Sequence, residues 1–123
     1  NRTRQATPRV RFDMIANHIL PKDYELSVVL VGRVTSRRLN KSLRSKDKAT
    51  NVLSFPLSKT SGEIFLDLST IKREYQKFGM KYNQFIAYLF IHGLLHLIGM
   101  EHGLRMEEAE KKNLNVATNR HWY

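Results

Sequence analysis

Hydrophobic and polar residues alternate along the chain with two different periods, which predicts a mixture of helices and strands. Apolar side chains recur at helical spacing in residues 9–20, where Pro21 ends the pattern, and again in residues 33–44, 83–98 and 104–117. A further helix is predicted after the third strand described below. Its candidate N-caps are Asp67 and Ser69, and we expect it to end at Gly79.

Residues 24–31, 51–55 and 63–66 have the β-branched and apolar content of strands. We expect Pro56 to close the second strand and residues 58–62 to form a loop. The whole pattern predicts an α/β (α+β) fold, with a small mixed sheet of three to four strands packed against about five helices.

The helix predicted at residues 33–44 has two different faces. Leu39 and Leu43 are four apart, so they share one face, which we expect to pack against the rest of the protein. The other face is basic and carries Arg33, Arg37, Lys41 and Arg44.

A length of 123 residues and a hydrophobic content of 41% predict a single domain over residues 1–123. Residues 1–8 are polar and basic, and we interpret them as a disordered arm. There are no cysteines, so a metal would have to be bound by histidine or carboxylate. The longest apolar stretch, residues 85–98, is too short to span a bilayer, and no signal-peptide pattern is visible. We therefore expect a cytoplasmic protein.

The net charge of +10 predicts a polyanionic partner, either nucleic acid or an anionic membrane surface. Residues 33–48 contain seven basic side chains and one acidic side chain. The alternative is that the excess charge only keeps the protein in solution, but this clustering argues against it. No helix combines a broad aromatic face with a lysine-rich one, which argues against membrane binding.

Three histidines have the spacing of metal ligands. His92 and His96 are four apart on a predicted helix, so both rings lie on one face. Gly99 can end that helix in a left-handed conformation and bring His102 back towards them. Three imidazoles leave one tetrahedral position open, which is typical of a catalytic rather than a structural zinc.

The sequence therefore predicts one Zn²⁺ per chain, although imidazole also suits nickel, copper and iron. The alternative is that the helical histidines are core residues satisfied by backbone carbonyls. His18 and His121 fall outside the pattern. The same H-x3-H-x5-H spacing occurs in metzincin peptidases, but Gly93 stands where their general base, a glutamate, would be.

The segment HGLLHLIGMEH, residues 92–102, resembles the signature of the YbeY family of bacterial endoribonucleases. A second block agrees with that family: Leu39-Asn40, then Arg44, Lys46-Asp47 and the run ATNVLSFP. The resemblance covers residues 39–102, about half of the chain.

This resemblance implies a single-strand-specific, metal-dependent endoribonuclease that acts in 16S rRNA 3′-end processing and ribosome quality control. It also implies a zincin-like metal helix, with zinc on His92, His96 and His102. The family's functional arginine corresponds to Arg44, interpreted as a catalytic phosphate contact. Alternatively, Arg44 caps the helix end or pairs with Asp47. The other expected substrate contacts are Arg37, Lys41, Lys46 and Lys48.

The expected partners are rRNA and the small ribosomal subunit, with no membrane and no organic cofactor. Two segments depart from the family pattern: Leu66 replaces a glycine before Asp67, and Met100-Glu101 replaces Tyr-Asp. The general base stays open between the metal alone, Glu101 and a substrate phosphate. A rival interpretation is a non-catalytic ribosome assembly factor with a structural metal.

Overall fold

The computed structural model describes residues 8–123, so residues 1–7 of the predicted basic arm lie outside the described residues. Pro8, the last residue of that arm, is buried. The described part contains five α-helices, one 3₁₀ turn and three strands, which confirms the predicted α+β fold. In chain order these are α1 (Phe12–Ile19), β1 (Glu25–Val31), α2 (Arg33–Arg44), β2 (Val52–Ser58), β3 (Ser61–Asp67), α3 (Leu68–Glu74), the 3₁₀ turn (Tyr75–Phe78), α4 (Tyr82–Leu97) and α5 (Leu104–Asn119).

The three strands form one mixed sheet in the order β1-β3-β2. The central strand β3 runs parallel to β1 and antiparallel to β2, with Val28 and Ser54 opposite Ile64 on either side. Ile64 and Leu66 are fully buried, because β3 has neighbours on both edges and α4 on one face. The centre of the sheet is therefore part of the hydrophobic core.

The prediction that Pro56 closes the second strand is wrong, and so is the predicted loop at 58–62. β2 continues through Pro56 to Ser58, and β3 begins at Ser61 after a tight turn. Among the described strands β2 lies at an edge of the sheet, where a proline removes no necessary ladder hydrogen bond. The register of the two strands is irregular between Pro56 and Ser58, as expected beside a residue without an N–H.

The long helix α4 lies at the centre of the molecule. It packs against β2 and β3, α1, α3 and α5, and the ring centroids of Phe12 in α1 and Phe90 in α4 are 4.9 Å apart. None of the helices within residues 8–123 is long and apolar enough to cross a bilayer. The buried residues of α4 are Phe85, Ile86, Ala87, Leu89, Phe90, Ile91, Gly93, Leu94, Leu95 and Leu97.

Helix α2 has the predicted bounds, but the predicted packing face is wrong at Leu43, while Leu39 is half-buried. Leu43 is 57% exposed, and the buried residues of α2 are Ser36 and Asn40. The Asn40 side chain donates a hydrogen bond to the Lys48 carbonyl (2.9 Å). Helix α2 therefore docks through polar contacts, which an apolar periodicity cannot reveal.

The buried carboxylate of Asp67 joins three elements. Its Oδ1 accepts a hydrogen bond from the Thr70 backbone N–H (3.0 Å), so Asp67 is the N-cap of α3, as predicted. Its Oδ2 accepts from the Thr70 hydroxyl (2.6 Å) and the Ser36 hydroxyl (2.7 Å). The Ser36 oxygen in turn accepts from the Thr50 N–H (3.3 Å), so this network also holds the loop after α2.

We expect Asp67→Ala to lower the free energy of unfolding by about 2–4 kcal/mol, because it removes a helix cap and leaves buried hydroxyls unpaired. Urea denaturation of the metal-free protein measures this change. The matched control is Asp47→Ala, which removes an exposed carboxylate paired with Arg37 and should change stability little. Equal stability of the two variants would contradict this role of Asp67.

Candidate active site

Helix α4 presents His92 and His96 on the same face, one turn apart. Their Nε2 atoms are 3.1 Å from each other, and their ring centroids are 4.6 Å apart. Both rings are half-buried. The helix therefore brings two imidazole nitrogens to one point without help from a flexible loop.

His102 reaches the same point from the segment between α4 and α5. Gly99 has the left-handed φ of 94° expected from the sequence, and its N–H donates to the His96 carbonyl (3.0 Å). The chain reverses there, and the His102 ring lies 5.4 Å from that of His92 and 4.8 Å from that of His96. One potential ligand atom from each of the three histidines lies within 4.8 Å of the others.

Hydrogen bonds on the far side of two rings define their orientation. The Nδ1 of His92 contacts Oε2 of the buried Glu110, and the Nδ1 of His96 lies 3.1 Å from the Met100 carbonyl oxygen. An ionised carboxylate and a carbonyl only accept hydrogen bonds, so each Nδ1 is the donor. In the neutral rings the lone pairs then lie on the two Nε2 atoms, which face each other.

These three histidines fit a metal ion. Two nitrogens bound tetrahedrally at 2.0–2.1 Å from one zinc would be about 3.3–3.4 Å apart, close to the 3.1 Å between the two Nε2 atoms. Two facing lone pairs repel each other unless a cation or a proton lies between them. Burial lowers the pKa of His96, and His92 and His102 lower it further, which favours the neutral form that binds metals. The group could therefore hold a metal ion.

The three histidines line an open cleft of about 330 Å³ between α4 and β2. Arg44, at the end of α2, lines the same cleft together with Ser54 and Pro56 of β2. Within residues 8–123 Arg44 makes no ion pair or hydrogen bond to another side chain, and Asp47 pairs with Arg37 instead (2.7 Å). Arg44 thus lines the same cavity as the three histidines.

The other predicted substrate contacts lie outside this cleft. Arg37 and Lys41 are exposed on α2, where Asp47 lies 2.7 Å from Arg37 and 4.0 Å from Lys41. Lys46 and Lys48 are exposed in the loop that follows α2. The structure therefore brings Arg44 to the histidines and leaves the other four cations on the adjoining surface.

Gly93 packs closely against the sheet. A Cβ at this position would lie 3.1 Å from Cδ1 of the buried Ile64 on β3. The Gly93 carbonyl accepts a hydrogen bond from the Ser54 hydroxyl (2.8 Å), which fixes β2 against α4. A larger residue at position 93 would therefore require Ile64 to shift by a few tenths of an ångström.

Glu110 was not among the site residues predicted from the sequence, where Glu101 was the acidic candidate instead. Glu101 is exposed and makes no hydrogen bond or ion pair within the described residues, whereas Glu110 is 6% exposed and contacts His92. A signal for Glu110 exists in the sequence, because Met106, Glu110 and Ala117 recur at helical spacing on the inward face of α5. A carboxylate in such an apolar stripe requires a buried partner.

Comparisons with known proteins all point to one family. A family model described as "Endoribonuclease YbeY" matches residues 3–121. A protein with that name from Nautilia profundicola is 39% identical over 120 residues, which cover 94% of this chain and 85% of the relative. One from Persephonella marina is 32% identical over 106 residues (80% and 69%), and one from a Wolbachia of Drosophila simulans is 39% identical over 94 residues (72% and 63%).

The solution structure of TM1509 from Thermotoga maritima is also similar, with a TM-score of 0.66 and 27% sequence identity. The match covers 90% of this chain and 79% of that one. The curated relatives extend beyond the segment that this chain matches, by about a third of their length in the Persephonella and Wolbachia proteins.

Loss of a residue that only hydrogen-bonds to a metal ligand lowers metal affinity roughly 10–100-fold. We expect His96→Ala to weaken zinc binding by more than this, because it removes a direct ligand. Competition titration of the purified protein against a chromophoric chelator measures the dissociation constant. The control is His18→Ala, which alters an exposed histidine on α1 and should bind zinc as the unmodified protein does. Unchanged affinity in His96→Ala would rule out this site.

Proposed function

The chain belongs to the YbeY endoribonuclease family, and from this premise we propose that it is a metal-dependent endoribonuclease that cleaves single-stranded RNA. The observation that carries the proposal is the convergence of three imidazoles and Arg44 on one open cleft. The cofactor we propose is one Zn²⁺ per chain, bound by His92, His96 and His102.

A zinc ion in this position supplies Lewis acidity, which lowers the pKa of water and stabilises developing negative charge. His92 and His96 contribute their Nε2 lone pairs, since each Nδ1–H is already used by Glu110 or the Met100 carbonyl. Arg44 lines the same cleft and makes no hydrogen bond or ion pair to a side chain of residues 8–123, and a guanidinium can donate two parallel hydrogen bonds to a phosphate. We propose that Arg44 binds the scissile phosphate and stabilises the charge that develops on it.

The exposed basic side chains beside the cleft would bind the rest of the RNA backbone. Lys46 and Lys48 lie on the loop after α2. Asn40 and Ser36 of α2 hydrogen-bond to the backbone of this loop, which fixes the position from which the two lysine side chains extend. Arg37 and Lys41 would exchange their contact with Asp47 for phosphate. Such contacts position an RNA strand without reading its bases.

The finer assignments depend on family membership. We propose that residues 1–123 form a single catalytic domain, and that the protein acts in the cytoplasm on rRNA and the small ribosomal subunit. We further propose a role in 16S rRNA 3′-end processing and ribosome quality control.

Two rival functions receive less support from the site. A structural zinc has four protein ligands, whereas here three histidines border an open cleft and His102 is exposed. A peptidase of the metzincin type needs a glutamate as general base at position 93, and this chain has a glycine there. The presence of Arg44 in the same cleft as the three histidines favours hydrolysis of a phosphodiester over both rivals.

We expect Arg44→Ala to lower kcat/KM on a single-stranded RNA by about 100-fold or more, because it removes a charge-stabilising donor. A fluorogenic oligoribonucleotide assay with the zinc-loaded protein measures the rate, and zinc content is checked in parallel. The control is Arg38→Ala, which removes an exposed arginine of α2 that does not line the cleft. If Arg44→Ala cleaved RNA at the rate of the Arg38→Ala control, Arg44 would have no catalytic role.

A further inference from the structure

We propose that Glu110 is a positioning residue of the metal centre, which fixes the ring of His92 and directs its Nε2 atom towards the other two histidines. The inference rests on the proposed metal-binding function and extends it to helix α5. It assigns a role to a carboxylate outside the histidine motif, 18 residues from its partner along the chain.

The burial of Glu110 distinguishes it from the other acidic residues of this region. Glu101, Glu107 and Glu108 are exposed, whereas Glu110 is 6% exposed and lies between Met106 and Ala117 on the inward face of α5. Removing a carboxylate from water costs free energy, and a helix needs no charge at such a position in order to pack. The presence of a carboxylate here requires an explanation other than core packing.

The contact with His92 supplies that explanation. Oε2 of Glu110 meets Nδ1 of His92, and His92 is its one hydrogen-bond partner within residues 8–123. A carboxylate that accepts the Nδ1 proton fixes the tautomer and the rotation of the ring, and it makes the opposite nitrogen a stronger ligand. That opposite nitrogen is the Nε2 atom that lies 3.1 Å from Nε2 of His96.

The two helical histidines are held in different ways. His96 donates to the Met100 carbonyl, which belongs to the turn directly after its own helix. His92 is instead held by Glu110 of α5, and the third histidine, His102, lies in the segment just before that helix. The docking of α5 on α4 therefore both places the third ligand, His102, and orients the first ligand, His92.

The test compares Glu110→Gln with Glu108→Gln, a matched variant two residues earlier on the same helix. Both changes remove one negative charge and keep side-chain size, but only the first alters the contact with His92. We expect Glu110→Gln to raise the zinc dissociation constant about 10–100-fold, while Glu108→Gln keeps the wild-type value. Competition titration gives the affinities, and the visible spectrum of the cobalt(II)-loaded proteins reports any change in ligand geometry.

Two outcomes would overturn the inference. The first is wild-type zinc affinity and an unaltered cobalt spectrum in Glu110→Gln. The second comes from NMR of the ¹⁵N-labelled, zinc-loaded wild-type protein, which does not depend on any variant folding. We expect His92 to carry its proton on Nδ1 and to bind zinc through Nε2, so ligation through Nδ1 would exclude the contact with Glu110.

The result for the wild-type protein separates this inference from the proposed function. If the wild-type protein binds zinc and cleaves RNA while Glu110→Gln retains full zinc affinity, the positioning role alone fails. If the wild-type protein does not bind zinc, the metal centre and the inference fail together.

Discussion

Helix α4 must bury most of its surface and still present two imidazoles to a cleft, and the neighbouring elements are arranged around this requirement. Its apolar side chains contact the sheet and the surrounding helices, which fixes its position and rotation. Gly93 allows β3 to approach closely, with Ile64 against the helix. Because the helix cannot rotate without opening the core, His92 and His96 stay directed towards the cleft.

Buried polar contacts connect the other elements to this centre. Asp67 joins β3 to α3 and, through Ser36, to α2, at whose end Arg44 lines the cleft. Glu110 joins α5 to α4 at His92. Both carboxylates are buried and hydrogen-bonded, so they specify one arrangement of helices instead of adding only general stability. Arg44 and the three histidines thus line one cleft although they come from different elements of the fold.

Much of this arrangement could be predicted from local sequence patterns. The bounds of α2, the N-cap at Asp67 and the chain reversal at Gly99 each follow from residues near in sequence. The continuation of β2 through Pro56 could not be predicted in this way, because it depends on the position of that strand at an edge of the sheet.

The polar docking face of α2 and the role of Glu110 were missed for a related reason. Both depend on partners distant in the chain, Asp67 for Ser36 and His92 for Glu110, which periodicity does not reveal. Apolar spacing identifies the inward face of a helix, but it does not say which polar residue on that face has a partner. The sequence likewise does not show whether Asp47 pairs with Arg37 or with Arg44. The conformation of the loop after α2 brings Asp47 to Arg37.

In the proposed site three imidazoles bind one cation and leave a coordination position open to the cleft. A crystal structure of the zinc-loaded protein, with anomalous data at the zinc edge, tests this arrangement. We expect one zinc peak at about 2.0–2.1 Å from a ring nitrogen of each of the three histidines, with solvent in the fourth position. A peak elsewhere, or a fourth protein atom on the metal, would contradict it.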